Sequence, residues 1–376
     1  MNPAIKKTLL PIIQKEGCIE ITLNYVATDI EDPDGGIYQL CRLLDGDHSI
    51  DEISSKLSLS KEEVADAIES LNSLGFVEYE YQPPHYTKTE LERYRSNLNY
   101  FSGFSSLDVS KYEIQNRLRD KKAVVLGLGG GSLAASFLAG MGIGEIVGVD
   151  FDIVERSNLN RQCLYNEEDI GRLKTDAARE KVLKINPEIS MTVHDLEISS
   201  YMDLLPILEG ADVVINMIDQ PAISSLRWVS AACIKLNIPY YSGGVNHQIV
   251  QLDRVIPANG DPCYDCMLIH TMSLHRDSVY RLKESYGKIF SNVNTGFGPN
   301  VSLLTGLMMT DAAKLLTGIS PVSKPMLTMD LSDLTLEQSE FGTGRLACCP
   351  TCSGSFEQLA SFEELQKLAE RELTEA

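Results

Sequence analysis

A short apolar run followed by a glycine cluster constrains this chain more than any other stretch. Residues 123–131 read AVVLGLGGG, and a run of small helix-forming residues follows from Ser132 to Met141. A second apolar run, Glu145–Val149, ends in Asp150. Such runs are typical of parallel strands that are buried on both faces. The pattern predicts a strand, a glycine turn, a helix and a strand that ends in an acid. That unit binds a nucleotide with its phosphates at a helix N-terminus and its ribose on a carboxylate.

The glycine turn alone does not identify the nucleotide, because Ser132 occupies the position where a dinucleotide fingerprint has its third glycine. The residues after Asp150 are more informative, since a dense polar set follows the second strand. A dinucleotide does not require such a set, whereas a nucleoside triphosphate with its charged phosphates does. The candidate nucleotide-binding residues are therefore Gly127, Gly129, Gly130, Gly131, Asp150, Asp152, Asn158, Arg161, Gln162 and Lys174.

Strand and helix patterns continue to alternate downstream of this unit. Apolar runs at 190–193, 211–218 and 239–242 are separated by helical patterns at 175–184, 201–208 and 224–235. This alternation predicts an α/β fold with a doubly wound, mostly parallel, Rossmann-like sheet. Gly127, Asp150 and Asp219 each follow a predicted strand, and ligands of such sheets bind at the carboxyl ends of the strands. We therefore expect these three residues to converge on one site.

Two cysteine pairs near the end of the chain predict a metal site. Cys263-x-x-Cys266 and Cys349-x-x-Cys352 provide four thiolates, the ligand set of a closed structural zinc knuckle. A redox-active disulfide is the alternative interpretation. Cys348 is a neighbouring thiol that could replace Cys349, although only Cys349 and Cys352 have the CxxC spacing. The nine cysteines of the chain are an odd number, which argues against a disulfide framework.

Residues 1–82 form a predicted winged-helix-like module, and residues 83–376 form the nucleotide-binding domain. The module has strand patterns, three short helices and a final strand. Winged helices often bind DNA, but these helices are acidic and the whole chain has a net charge of −20, so nucleic acid binding is disfavoured. A peptide added as a strand to an exposed sheet edge is the better interpretation. A packing or dimerisation module is the remaining alternative.

No apolar window of the sequence reaches the length of a transmembrane helix. The apolar run at Leu9–Ile13 is too short for the core of a signal peptide. The sequence therefore predicts a cytoplasmic protein that does not associate with membranes.

Residues 90–352 resemble the ubiquitin-activating-type adenylating family, which includes the thiamine- and molybdopterin-synthesis adenylyltransferases and the enzyme that modifies the microcin-C peptide. The resemblance rests on the glycine turn at Gly127, on Asp150-x-Asp152, on Asn158-x-x-Arg161-Gln162, on Lys174 and on Asp219. It implies ATP as substrate, with Arg161, Lys174 and Asp219 catalytic and Mg²⁺ held by Asp219. Gln220 departs from the family, which usually has Asn after this Asp.

The resemblance also implies a homodimer, in which Arg93 or Arg95 reaches the nucleotide site of the partner subunit. Ser96 stands where the family has the second arginine of this motif, so the choice between Arg93 and Arg95 stays open. His247 follows a predicted strand close to the expected acceptor site and is a candidate general base.

Residues 18–81 resemble the small PqqD-like domain that recognises leader peptides. Relatives that transfer sulfur have a cysteine in the region between the zinc hooks, whereas this chain has none between residues 267 and 347. Together these features resemble pantocin-type maturases, which implies adenylation of glutamate side chains on a ribosomally made precursor peptide. Three alternatives stay open at this point: activation of the C-terminus of a sulfur-carrier protein, an NAD-dependent oxidoreductase, and a non-catalytic winged-helix regulator.

Overall fold

A computed structural model describes residues 2–9, 11–23, 25–79, 86–275 and 296–375 of the chain. The chain forms two compact units. The first comprises Met1–Leu118 with Thr317–Ser320, and the second comprises Arg119–Leu316 with Pro321–Ala376. No described helix is long and apolar enough to cross a membrane.

The described residues of the first unit form a three-stranded antiparallel sheet, a separate two-stranded pair and six helices. The predicted order of strands, three helices and a strand is confirmed, and Ser60 and Glu63 form a capping box at the start of the third helix. The strands are β1 (Pro3–Ile5), β2 (Ile13–Lys15), β3 (Cys18–Leu23), β4 (Val26–Glu31) and β5 (Val77–Tyr79). The helices are α1 (Gly36–Leu43), α2 (Ile50–Leu57), α3 (Lys61–Ser73), α4 (Lys88–Arg93), α5 (Arg95–Ser102) and α6 (Lys111–Arg119). The sheet order is β2-β3-β4, and β1 pairs with β5.

A buried ionic cluster connects the residues after position 82 to the first unit. Glu78 forms a salt bridge with Lys111 at 2.9 Å and accepts a hydrogen bond from the Ser105 hydroxyl at 2.7 Å. Lys6 donates to the Ser105 carbonyl at 2.7 Å. Burial of a charged group is costly unless its partners stay in place, so these contacts hold the segment up to Leu118 within this unit.

The second unit is built on an eight-stranded sheet with the order β13-β12-β11-β10-β9-β6-β7-β8. Strands β10, β9, β6, β7 and β8 are parallel, and β11, β12 and β13 extend the sheet with antiparallel pairing. The strands are β6 (Lys122–Leu126), β7 (Glu145–Asp150), β8 (Ser190–Asp195), β9 (Val213–Asn216), β10 (Tyr240–Val245), β11 (Ile249–Val255), β12 (Met326–Asp330) and β13 (Thr335–Ser339). The helices in the described part of this unit are α7 (Gly131–Met141), α8 (Lys174–Ile185), α9 (Tyr201–Leu208), α10 (Ala222–Leu236), α11 (Tyr264–Leu274), α12 (Gly298–Thr317) and α13 (Phe362–Glu375).

The parallel part of the sheet is covered on both faces, as predicted. Val124 and Leu126 of β6 pack into a core with residues of α9 and α10. On the opposite face, the first residue of α7, Gly131, lies directly against the Val125 side chain. The strand order changes direction between β6 and β9, and a sheet of this kind binds ligands at that point, beyond the carboxyl ends of its strands.

Candidate functional site

A cavity of about 730 Å³ lies at the carboxyl ends of the parallel strands, where the strand order changes direction. Ten of the eleven residues predicted to bind ATP and Mg²⁺ surround this cavity. The lining includes Gly127, Gly129, Gly130, Asp150, Asp152, Asn158, Arg161, Gln162, Lys174 and Asp219. Gly131 is the exception, because it lies outside the lining.

The glycine turn after β6 is crowded by backbone and side chains. Gly127 has a φ of +83°, and a Cβ atom there would approach the Met217 carbonyl oxygen to 2.8 Å. A Cβ atom on Gly129 would lie 2.9 Å from the Gln162 amide nitrogen. A Cβ atom on Gly131 would lie 2.6 Å from Val125 Cγ1, so that glycine is required by helix–strand packing. Side chains at these glycine positions would collide with neighbouring atoms, so the turn can approach a ligand closely only because it is built from glycine.

Asp150, at the end of β7, is held in a fixed orientation by main-chain donors. The Leu128 amide donates to Oδ2 at 2.6 Å, and the Asp152 amide donates to Oδ1 at 2.9 Å. Burial raises the pKa of Asp150 above its usual value of 3.8, while Lys174 and the Asp152 amide oppose this effect. Each carboxylate oxygen keeps a further lone pair with which it can accept a hydroxyl donor from a ligand.

Lys174 begins α8 and is buried against Asp152, whose Oδ2 lies 2.8 Å from its Nζ. Tyr165, which sequence reasoning missed, fixes the surrounding backbone. Its hydroxyl donates to the Leu128 carbonyl at 2.8 Å and lies 3.3 Å from the Lys174 carbonyl. These contacts join the glycine turn to the start of α8, so the lysine is held at the cavity by the same scaffold that shapes the turn.

Arg161 and Gln162 retain hydrogen-bonding capacity at the cavity. Arg161 donates to the Ser157 carbonyl at 2.7 Å and to Asn160 Oδ1 at 2.9 Å, and no described carboxylate pairs with it. Gln162 is buried, and its Oε1 has no hydrogen-bond partner among the described residues. A buried amide without a partner is costly. The Arg161 guanidinium can therefore donate to an anionic group of a ligand, whereas Gln162 Oε1 can accept from an amino or hydroxyl donor of a ligand.

Asp219 lies in the turn between β9 and α10, with its carboxylate exposed at the cavity. Asn216, the last residue of β9, accepts from the Ile218 amide at 3.3 Å and donates to Ser242 Oγ at 3.2 Å. Asn216 and Ser242 were not predicted as site residues. The sequence does contain an indication of Asn216, because it is a polar residue at the end of the otherwise apolar strand VVIN.

The four predicted metal ligands form one cluster. The Sγ atoms of Cys263, Cys266, Cys349 and Cys352 all lie within 4.8 Å of one another. Neighbouring sulfurs are separated by 3.3–3.8 Å, close to the spacing of about 3.8 Å that tetrahedral zinc with Zn–S bonds of about 2.3 Å requires. The donor set therefore fits zinc, and Cys348 is exposed outside the cluster.

A buried polar network holds the two cysteine hooks together. Asp265 lies in the first hook and accepts from Arg227 of α10 at 2.5 and 3.1 Å. Thr351 lies in the second hook and donates to Asp265 Oδ2 at 2.6 Å. Arg227 also donates to the Ala360 carbonyl at 2.6 Å. We call Asp265, Arg227 and Thr351 the hook network. Sequence reasoning missed it because the three residues come together only in the folded chain.

The remaining candidates lie elsewhere. His247 is exposed in the turn between β10 and β11 and is not part of the cavity lining. Arg93 ends α4 and is half-buried, and Arg95 begins α5 and is exposed. Both arginines belong to the first unit.

Comparison with known proteins identifies the family. The ThiF family model matches residues 94–350. The sulfur carrier protein ThiS adenylyltransferase of Escherichia coli strain K12 is 30% identical over 250 residues, which are 66% of this chain and 92% of that protein. The fold is similar to E. coli MccB solved with succinimide (TM-score 0.74, 22% identity, 94% of this chain and 100% of MccB). It is also similar to PaaA (TM-score 0.64, 22% identity, 80% of this chain and 98% of PaaA). The chain belongs to the ThiF family and is an ATP-dependent adenylating enzyme.

Proposed function

We propose that this enzyme uses ATP and Mg²⁺ to adenylate a glutamate side chain on a ribosomally made precursor peptide during maturation of a peptide antibiotic. The observation that carries the proposal is the extent of the fold similarity to MccB. The similarity to MccB leaves 6% of this chain unmatched, which is about 23 of its 376 residues. The family model, in contrast, begins only at residue 94. Most of the N-terminal region is therefore part of the similarity, and MccB, a microcin C7 biosynthetic enzyme, has been solved in complex with MccA.

The residues of the cavity have complementary roles in this reaction. Asp150 accepts hydrogen bonds from the ribose hydroxyls, Arg161 and Lys174 bind the phosphates, and Gln162 Oε1 accepts from a donor of the nucleotide. A carboxylate oxygen of the peptide attacks the α-phosphorus. The bond from that phosphorus to the bridging oxygen breaks, and pyrophosphate leaves with the electron pair. Asp219 is the carboxylate that would hold Mg²⁺, which neutralises phosphate charge when it is bound. Asp152 and Asn158 complete the polar lining.

The second candidate function is activation of the C-terminus of a sulfur-carrier protein. The sequence similarity to ThiS adenylyltransferase favours it. Against it, the chain has no cysteine between residues 267 and 347 to receive an activated acyl group. In this proposal the acyl adenylate reacts within the peptide.

In this proposal the sheet of the first unit binds the leader of the precursor. Strand β4 is an edge strand among the described residues. Asp32 N donates to Gly17 O at 2.8 Å, so the main-chain groups of Asp32 face β3. Because successive residues of a strand face opposite sides, and Ala27 is an odd number of residues away, the main-chain groups of Ala27 face away from β3. Ala27→Pro removes an outward N–H without breaking the ladder, and Ala27→Val keeps that N–H. We expect the proline variant alone to raise the KM for a precursor peptide and leave the KM for ATP unchanged. An equal rise in both variants contradicts leader docking at this edge.

The active form in this proposal is a homodimer, in which Arg93 or Arg95 completes the site of the partner subunit. Mixing an Arg95→Ala chain with an Asp219→Asn chain tests this arrangement. If the arginine acts in trans, mixed dimers contain one intact site and recover activity. The arrangement is contradicted if neither the Arg93→Ala chain nor the Arg95→Ala chain restores activity when it is mixed with the Asp219→Asn chain.

ATP–pyrophosphate exchange distinguishes the two candidate functions. The probes are glutamate-containing peptides with amidated C-termini, the same peptides with free C-termini, and purified ThiS. Exchange with the amidated peptides supports side-chain activation, whereas exchange with ThiS alone supports the second function. Asp219→Asn is expected to abolish exchange. The matched control is Glu209→Gln. Glu209 is an exposed carboxylate that precedes β9, whereas Asp219 follows that strand, so this variant is expected to retain the exchange activity.

A further inference from the structure

Tyr165 lies behind the glycine turn and directs its hydroxyl group at the main chain of the turn. Its side chain is buried, and the residue does not line the nucleotide cavity. The hydroxyl donates to the Leu128 carbonyl at 2.8 Å, and the Lys174 carbonyl lies 3.3 Å away. Burial raises the pKa of Tyr165 above its usual value of 10.0, and the nearby charge of Asp150 raises it further. The hydroxyl therefore stays protonated and remains a hydrogen-bond donor.

The contact with Tyr165 fixes the plane of the amide group that joins Leu128 to Gly129. This amide is trans, and in a trans amide the carbonyl and the N–H point in opposite directions. The Leu128 carbonyl points at the buried hydroxyl, so the Gly129 N–H points away from it, toward the side where Gly129 lines the cavity. No acceptor pairs with this N–H among the described residues. The amide is therefore a donor that is available to a ligand.

The glycine at position 129 would otherwise permit this amide plane to rotate. Rotation by half a turn interconverts the common β-turn types and carries the residue after the plane to a positive φ. Glycine adopts a positive φ readily, whereas other residues rarely do. In the structure Gly127 has a positive φ and Gly129 does not. Without the Tyr165 hydroxyl, the turn thus has a second accessible arrangement, in which the Gly129 N–H faces away from the cavity.

The position of this N–H along the turn matches the first phosphate of a nucleotide. Gly129 follows Leu128, whose own N–H donates to Asp150 Oδ2 at 2.6 Å. In the proposed function Asp150 binds the ribose, so the next amide of the turn lies nearest to the phosphate that is attached to that ribose. The Lys174 ammonium is close by, 3.7 Å from the position of a Cβ atom on Gly129.

We propose that Tyr165 is a positioning residue for adenylation, which holds the Gly129 N–H toward the α-phosphate of ATP. The inference rests on the proposed function in one respect, the placement of ATP in this cavity, and it does not depend on the acceptor. A donor that is fixed in advance stabilises the charge of the phosphoryl group without reorganising during the reaction. Tyr165 itself acts only through the main chain of the turn.

The test compares Tyr165→Phe with Tyr201→Phe in the full-length enzyme. The Tyr201 hydroxyl donates to the Glu357 carbonyl at 2.6 Å, and Tyr201 is buried outside the cavity lining. Both variants lose a hydroxyl that is bonded to a main-chain carbonyl, so both are expected to lower Tm by a few degrees. Only Tyr165→Phe is expected to weaken ATP binding in calorimetric titration, by about tenfold, the effect of losing one hydrogen bond to a charged group.

Sulfur substitution on the α-phosphate examines the contact itself, because sulfur accepts hydrogen bonds more weakly than oxygen does. The probes are the two diastereomers of ATP in which one non-bridging α-oxygen is replaced by sulfur, titrated without added divalent metal so that metal coordination does not contribute. The wild type and Tyr201→Phe are expected to bind one diastereomer several times more weakly than the other. Tyr165→Phe is expected to lose most of this difference, which a residue that only stabilised the fold would not remove.

These measurements separate failure of the inference from failure of the proposed function. If Tyr165→Phe binds ATP as tightly as Tyr201→Phe does, or keeps the difference between the diastereomers, the inference is wrong and the proposed function stands. If Asp150→Ala binds ATP as tightly as the wild type, the nucleotide does not occupy this cavity, and the proposed nucleotide site is contradicted together with the inference. The acceptor is decided separately by exchange with amidated peptides or ThiS, so the proposed acceptor can fail while the binding results support the inference.

Discussion

Replacing Asp265 with Asn tests how the two cysteine hooks are held together. The side chains of Arg227 and Asp265 are only 2% and 1% exposed. Asparagine preserves the shape of the side chain but leaves the Arg227 cation buried without its carboxylate. Removing one partner of a buried ion pair costs about 3–5 kcal/mol. A unit of this size loses about 2–4 °C in Tm per kcal/mol, so we expect a decrease of about 6–20 °C.

Calorimetry of the full-length, metal-loaded protein measures this decrease, and metal content is determined on the same samples. The matched control is Glu167→Gln, which breaks an exposed arginine–carboxylate pair with Arg156. Exposed pairs contribute about 1 kcal/mol or less, so the control is expected to change Tm by at most a few degrees. The double variant Asp265→Asn with Arg227→Met removes both charges and is expected to recover part of the lost stability.

The reasoning is refuted if Asp265→Asn lowers Tm no more than Glu167→Gln does while the metal is retained. Thr351→Val gives an intermediate point, since it removes only the hydroxyl that donates to the carboxylate. Loss of one hydrogen bond to a charged group costs about 1.5–3 kcal/mol. A graded series from Glu167→Gln through Thr351→Val to Asp265→Asn is the expected order.

Four further predictions concern the nucleotide site and the metal. Lys174→Met is expected to lower exchange by about 100-fold or more with little change in Tm, because its partner Asp152 is 52% exposed and stays solvated. Asp150→Ala leaves two amides without their acceptor, and calorimetric titration should show about tenfold weaker ATP binding. Gly131→Ala forces a Cβ atom against Val125, and thermal unfolding should show a cost of about 1–3 kcal/mol. Metal analysis should find about one zinc per chain, and a chelator that removes it should lower Tm.

The predictions that depended on local spacing agree best with the structure. A strand was predicted at 123–126 and β6 spans Lys122–Leu126, and the helix predicted at 201–208 is α9 (Tyr201–Leu208). Neighbouring residues determine such elements, because apolar runs and capping side chains act within a few positions. The strand predicted at 211–218 ends earlier, at Asn216. Met217 and Ile218 continue the apolar run but line the cavity, and a hydrophobic pattern does not distinguish a strand from a cavity wall.

The sequence by itself determined the glycine turn, the acid after the second strand and the spacing of the two cysteine hooks. Each is a constraint between residues that are close along the chain, so spacing alone conveys it. Only the tertiary structure decided that Tyr165 joins the turn to α8, that Asp265 accepts hydrogen bonds from Arg227 and Thr351, and that β10 continues beyond the end of β9. Those contacts join segments that are distant in sequence, and their geometry depends on how the sheet and its covering helices pack.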